Sequence, residues 1–386
     1  MKLGILVVVA VLALGAVVYL QDQPSTSVVP AGEPEPLVPA LADDVNAVTG
    51  LTVIAAGGEA VATLERGDDT WVVSNKGGYP ANMARVRETL LTLSQAKLIE
   101  AKTRKVENYG VLGVEAVDEA DASGVLVELQ GLGEEPLGVI IGNGGRAAGG
   151  NYVRLVDQAQ SWLSDQRFNV PDQASQWLDR QVVDLADDRV QRVAIRHPDG
   201  GVLTVEKTER DQGDFIVLDL PPERELRSAT VANPMGRALA ALQLEDVAPA
   251  AEVTWPEEVV EAEFRTFDGL VVTVAAAEGM AEGEESADQV PGRVRFTVAF
   301  DEAQARRFAP AAEVAEGEGE EDAVSAGDRG DLAEALARGQ QEAEELQARL
   351  GDWVYTIPRF KYDNLVKTLD ELLAPLADES QEDDAS

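Results

Sequence analysis

Gly138-Val-Ile-Ile-Gly-Asn-Gly-Gly-Arg-Ala-Ala-Gly-Gly-Asn-Tyr-Val-Arg-Leu155 (GVIIGNGGRAAGGNYVRL) runs an apolar segment into a glycine-rich loop. The segment on the far side of the loop determines the architecture. A loop that cradles phosphates needs a strand before it and a helix after it, so that the helix N-terminus faces the anion. Here Asn151 to Val156 (NYVRLV) alternates and is rich in β-branched residues, and DQAQSWLSD (Asp157–Asp165) adds a turn and another strand. No Gly-Lys-Ser/Thr ending is present. The loop is therefore expected to be a hairpin connection, with glycine supplying positive φ where the turn needs it. That predicts an α+β chain with antiparallel sheets and argues against a doubly wound parallel fold.

The flanking sequence repeats the theme. Ala60–Asn75 (AVATLERGDDTWVVSN) has two alternating runs around a Gly-Asp-Asp turn, the pattern of a hairpin. Asn82 can cap a following helix, and its spacing places Val86, Leu90, Leu91, Leu93 and Leu98 largely on one helical stripe. Val190–Leu220 holds a strand pair and a third strand, followed by a helix opened by Asn233-Pro234. FRTFDGLVVTVAAA and RVRFTVAFD supply further hairpin strands, and Trp353–Leu376 repeats the aromatic strand, short loop and Leu-rich helix. Three repeated strand-strand-helix modules are predicted, over residues 43–180, 181–250 and 251–377, each covering its neighbour's apolar face. Acidic inserts at 278–292 and 310–331 interrupt the last module, the second being too poor in apolar residues to order. A helical stretch from Leu332 leads back to the core, and residues 378–386 form an acidic tail.

The charge balance excludes whole classes of partner. Lys+Arg is 32 against 70 Asp+Glu, a formal charge of -38. Such a body is repelled by a duplex, so no nucleic-acid partner is expected. The acids are spread along the chain as well as concentrated in runs, which fits a solvated surface suited to saline surroundings. Cys is 0, which excludes disulfides, thiolate metal sites and a lipidated cysteine. His is 1, so a multi-histidine metal site is excluded as well.

Residues 1–20 set the expected location. Leu3 to Leu20 (LGILVVVAVLALGAVVYL) carries no charge and approaches the length needed to cross a hydrocarbon core, roughly 17–25 residues. Lys2 precedes it, and Asp22, Glu33 and Glu35 come after it. This asymmetry predicts a single-pass anchor in the cytoplasmic membrane, N-terminus inside and the bulk of the chain periplasmic or extracellular. The apolar run continues past Ala13 and Gly15 with no good cleavage site, which favours an uncleaved N-terminal transmembrane helix over a signal peptide. Residues 21–42, rich in Pro, Ser and Glu, are expected to be an extended linker.

None of the candidate chemistries stands out. His197 lies in Arg196-His-Pro-Asp-Gly-Gly201, a turn signature that places it at a strand end. The runs Glu282–Glu285 and Glu316–Asp322 lack the spacing of a calcium loop. Paired carboxylates for glycoside hydrolysis are uninformative where acids are everywhere. Arg329-Gly330-Asp331 is a tripeptide of an acidic segment, and Trp71, Trp162, Trp177, Trp255 and Trp353 are assigned to core packing. No catalytic, cofactor-binding or metal-ligating residue is assigned, no cofactor is expected, and the chain is not expected to be an enzyme.

Trp71 and Val73, Tyr79-Pro80-Ala81, Lys102-Thr103, Tyr109 and Leu112-Gly113-Val114 form a pattern that resembles the bacterial family DUF4340, a domain of unknown function. Tyr152-Val153-Arg154, Ser161-Trp162-Leu163 and Trp177-Leu178-Asp179-Arg180 resemble it too, with the likeness best from about Asp43 to Val247. The resemblance implies a membrane-anchored protein facing the periplasm, encoded beside ABC-transporter components, and it supplies no catalytic residues. The expected function is that of an accessory or scaffold protein of the cell envelope. It would be held in the inner membrane by residues 3–20 and work with an ABC-transporter-type membrane complex. The alternative is an envelope glycan hydrolase, which would need convergent carboxylates in a deep cleft.

Overall fold

Alternating apolar runs become strands of two large antiparallel sheets in the computed structural model, which describes residues 34–68, 70–145, 149–279, 290–309 and 326–375. The first ten strands are β1 (Glu35–Pro36), β2 (Gly50–Ile54), β3 (Ala60–Arg66), β4 (Trp71–Val73), β5 (Tyr79–Pro80), β6 (Lys97–Ala101), β7 (Val125–Gln130), β8 (Leu137–Gly144), β9 (Asn151–Leu155) and β10 (Ser161–Ser164). They form one sheet in the order β1-β6-β10-β9-β8-β7-β2-β3-β4-β5. The remaining strands are β11 (Gln181–Val183), β12 (Val190–Arg196), β13 (Val202–Glu206), β14 (Ile216–Val217), β15 (Leu242–Gln243), β16 (Asp246–Pro249), β17 (Val260–Thr266), β18 (Leu270–Glu278), β19 (Gly292–Phe300) and β20 (Trp353–Ile357). Eight of these form a second sheet, β14-β13-β12-β17-β18-β19-β20-β16, while β11 pairs with β15 alone. The helices are α1 (Pro39–Asp43), α2 (Met83–Gln95), α3 (Tyr109–Leu112), α4 (Asn233–Gly236), α5 (Glu302–Arg307), α6 (Ala326–Leu350), α7 (Arg359–Leu365) and α8 (Leu369–Leu372).

The three-module expectation is corrected. Residues 181–250 and 251–377 do not form separate units, because β12 of the former pairs with β17 of the latter (Val193↔Phe264) and β16 pairs with β20 (Val247↔Tyr355). Joining the hairpins satisfies strand edges that separate modules would leave open. Nor does the helix recur. α2 is a full helix, started by Asn82, whose Oδ1 accepts from Arg85 N at 3.1 Å. The segment opened by Asn233 gives a single turn, because Leu239 O accepts from Leu185 N and Ala241 adopts φ 45°. After Trp353 the helix is broken in two, with Thr368 and Glu371 forming a capping box that starts α8.

Other boundaries move as well. Val86, Leu90 and Leu93 of the α2 stripe are buried, but Leu91 is 40% exposed and Leu98 belongs to β6. The linker expected through residue 42 ends earlier. Leu37, Val38 and Leu41 are buried, and β1 pairs with β6, so the fold already includes Glu35–Leu41. Acidic residues in that linker masked the apolar LVPAL run that folds. The insert at 278–292 is closed by the Glu278↔Gly292 pair, and its residues 280–289 lie outside the described residues. Of the 310–331 insert, residues 310–325 lie outside them too, whereas α6 already starts at Ala326. The anchor 1–20 and the tail 378–386 also lie outside. Among the described residues no helix is long and apolar enough to cross a membrane.

One apolar cluster runs through both sheets. At the seam Lys76 Nζ meets Asp246 Oδ1 at 2.6 Å, and the Tyr79 ring lies edge-on to Trp353 and Tyr355, with centroids 5.0 and 6.2 Å away. Burial, aided by the Asp179 carboxylate, pushes the Tyr79 hydroxyl up to about 12, and burial also pushes Tyr355 upward. The folded chain then keeps a proton that the unfolded chain releases near the ordinary phenol value of about 10. Below about pH 10 this stabilisation is complete, and it is lost as pH rises towards about 12. Tyr79→Phe should therefore flatten the decline in denaturation midpoint over that window. An unchanged slope would refute the assignment.

Candidate functional site

The glycine-rich loop is the first candidate, and its described residues join a hairpin rather than the strand and helix of a phosphate cradle. β8 pairs antiparallel with β9, Ile140 opposite Arg154 and Gly144 opposite Asn151, so the loop joins a hairpin. Residues 146–148 within it lie outside the described residues. At two of its glycines the chain's own backbone comes close. A Cβ at Gly142 would lie 2.6 Å from Gly113 O and overlap Leu112 O, and a Cβ at Gly150 would overlap Ser164 O. The room a phosphate would need at these positions is taken by the protein.

Two of the family-pattern residues, Tyr109 and Arg154, meet at one cavity of about 470 Å3 beneath α3, lined also by Glu115 and Ser123 among others. Arg154 on β9 is 8% exposed. Its Nε donates to Val114 O at 2.8 Å, its Nη1 reaches Val156 O and Gln158 O, and its guanidinium lies 4.7 Å from the Tyr109 ring centroid. The Tyr109 hydroxyl donates to Ala159 O. The guanidinium thus ties the 109–114 segment to β9 and the turn after it, through backbone carbonyls and a ring face. Glu115 Oε1 accepts from Ser123 N and Oγ, while Oε2 is buried with no partner. The arrangement anchors a segment: Arg154 ties 109–114 to β9, and the Ser123–Glu115 contact, in which one carboxylate oxygen accepts from both the amide and the hydroxyl of Ser123, ties 123 back to 115.

The remaining sequence candidates stay apart from one another. His197 sits at the end of β12, half-buried, with Nε2 3.2 Å from Lys367 O. Trp71 and Trp177 are buried, and Trp162 and Trp353 pack against the main cluster. Trp255 departs from the core assignment: Arg295 and Arg293 stand 5.3 and 6.0 Å from its ring. Of the acidic runs, Glu282–Glu285 and Glu316–Asp322 lie outside the described residues, and Arg329–Asp331 lies in α6. Among the described residues no group of three or more His, Asp or Glu could hold a metal ion.

A second polar cavity, about 460 Å3, opens where α2 begins at the seam of the two sheets. Sequence reasoning missed it, because its residues are polar, unremarkable in type and scattered from Asn82 to Glu245. The signal that could have pointed there is the pair of arginines, Arg85 three residues past a helix cap and Arg180 in the Trp-Leu-Asp-Arg motif.

Residues 71–258 match the family model DUF4340, a domain of unknown function. The match starts at Trp71 rather than near Asp43 and runs on to Glu258, so it crosses from the first sheet into the second. No curated protein and no solved structure matches the chain.

Proposed function

We propose that this chain, which carries a DUF4340 domain over residues 71–258, is a membrane-tethered extracytoplasmic accessory or scaffold protein of the cell envelope. It works beside an ABC-type membrane complex. The observation that carries the reading is the uncharged run Leu3–Leu20, with Lys2 before it and Asp22, Glu33 and Glu35 after it. Residues 21–34 lie in sequence between the run and β1, a length of chain that could span at most about 50 Å. Anionic lipid repels a body of charge -38, so the folded part projects from the bilayer towards a protein partner.

The glycan-hydrolase reading has no specific observation in its favour. A general acid needs a carboxyl held above its ordinary value. Among the described residues, the carboxyls that are displaced go the other way. The Arg237 hydrogen bond holds Asp187 low. Burial raises Asp268, but Thr266 and Arg189 outweigh it and leave the group low. In Glu371 burial is likewise outweighed, by Thr368 and Lys367.

Alkaline-carbonate washing should leave the full-length protein in the membrane pellet, and protease added to spheroplasts should degrade it from outside. Recovery of a soluble form beginning near Gln21 would overturn the tether. Crosslinking in native membranes followed by mass spectrometry should return subunits of an ABC-type complex; their absence would overturn that part of the reading.

A further inference from the structure

The seam cavity runs against the charge of the whole molecule. The chain has 70 Asp+Glu and 32 Lys+Arg, yet this concavity is lined by two guanidiniums, Arg85 and Arg180, and a single carboxylate, Glu245. Asn82, Gln173 and Gln176 supply amides and Ser175 a hydroxyl. Arg85 Nη1 donates to Glu88 Oε2 at 2.9 Å and to Asn169 O at 3.3 Å, but its Nε is buried with no hydrogen-bond partner. That Nε is enclosed by protein, so an anion in the cavity would meet the outer part of the Arg85 guanidinium instead. Arg180 is held at the seam by its Nε bond to Leu244 O at 3.2 Å. Asn82 caps the thirteen-residue α2, so the positive end of that helix dipole also lies at the cavity.

We propose that this cavity binds a phosphate group. A carboxylate offers two coplanar oxygens and is satisfied by one guanidinium fork. A phosphate offers oxygens in several directions and suits guanidiniums from separate elements together with amide and hydroxyl donors. At about 460 Å3 the cavity has room for more than the phosphate, so the ligand is a phosphate-bearing molecule, either a soluble metabolite or a phospholipid headgroup. Arg85 stands on the helix that packs under the first sheet, and Arg180 and Glu245 stand on the connections to the second. Occupancy therefore bridges the two sheets.

The test titrates inorganic phosphate into the full chain in neutral detergent micelles by calorimetry, at ionic strength held constant with NaCl. Saturable binding of one equivalent is expected, with citrate at least about tenfold weaker. Arg85→Gln should weaken phosphate by about tenfold or more, the loss expected for one charge-assisted contact. Ser175→Asp places a negative charge on the wall without touching the contacts of Arg85, and should weaken it as much; this variant decides the matter if Arg85→Gln fails to fold. Absence of saturable phosphate binding, equal affinity for citrate, or wild-type affinity in Ser175→Asp would overturn the proposal. Reconstitution separates the sources. Phosphate affinity should fall in phosphatidylcholine vesicles containing phosphatidylglycerol if a headgroup competes for the site, and stay unchanged if the ligand is soluble.

Discussion

Trp177→Ala is expected to lower the unfolding free energy by about 3–5 kcal/mol, most of the margin of an ordinary domain. Trp177 is fully buried in the turn that leads to β11, and its indole Nε1 donates to Pro171 O at 3.0 Å. Its own carbonyl accepts from Asn82 N at 2.8 Å, which sets the start of α2, and the neighbouring Leu178 bridges Ala81. The indole therefore fills the angle between α2, the first sheet and the seam. Alanine would leave a large cavity and an unsatisfied Pro171 carbonyl. Trp177→Phe keeps much of the packing and loses the N–H, so it should fall between alanine and the wild type. Urea midpoints with the slope held common would measure both. A loss under about 1 kcal/mol for alanine would mean that the site collapses freely and that the seam is not held from this point.

The same region marks where the sequence could and could not be read. Hairpins were legible because period-two alternation is local: Leu64↔Val73 and Val193↔Val205 join strands close in sequence and separated by recognisable turns. Merging of the last two modules was not legible. Val193↔Phe264 and Val247↔Tyr355 bring together residues far apart in the chain, and an edge strand carries no mark of which distant strand will cover it. Helix length failed for a related reason. The Leu and Ala residues after Asn233 have good helix propensity, but their carbonyls and amides are used between segments, as in Leu185 N to Leu239 O and Ala241 N to Asp184 Oδ1. The seam cavity was hidden twice over. Asn82 was recognised as a cap, but its neighbours across the cavity lie about ninety residues and more downstream, and a lone arginine in an acidic chain has no local signature.

Gly150→Ala should cost about 3 kcal/mol or more, while Gly149→Ala, one residue earlier in the same loop, should cost about 1–2 kcal/mol. The two glycines differ in what surrounds them. Gly149 has φ 82° and open space where a Cβ would stand, so alanine meets only the left-handed backbone penalty. At Gly150 a Cβ would overlap the Ser164 carbonyl oxygen and stand 3.2 Å from Gln166 O. Both oxygens belong to backbone. The Asn151 amide already donates to Gln166 O at 3.0 Å, and the Gly150 carbonyl accepts from Gly145 N at 2.7 Å, so neither side can withdraw without breaking a bond. A phosphate-binding loop makes the opposite prediction. Its glycines leave room for a ligand, so in the free protein both alanine variants would be tolerated to a similar degree and only ligand affinity would suffer. Denaturation midpoints of the two variants without added ligand separate these cases. If Gly150→Ala is no more destabilising than Gly149→Ala, the packing of β9 on the Ser164–Gln166 turn does not explain why this hairpin is so rich in glycine.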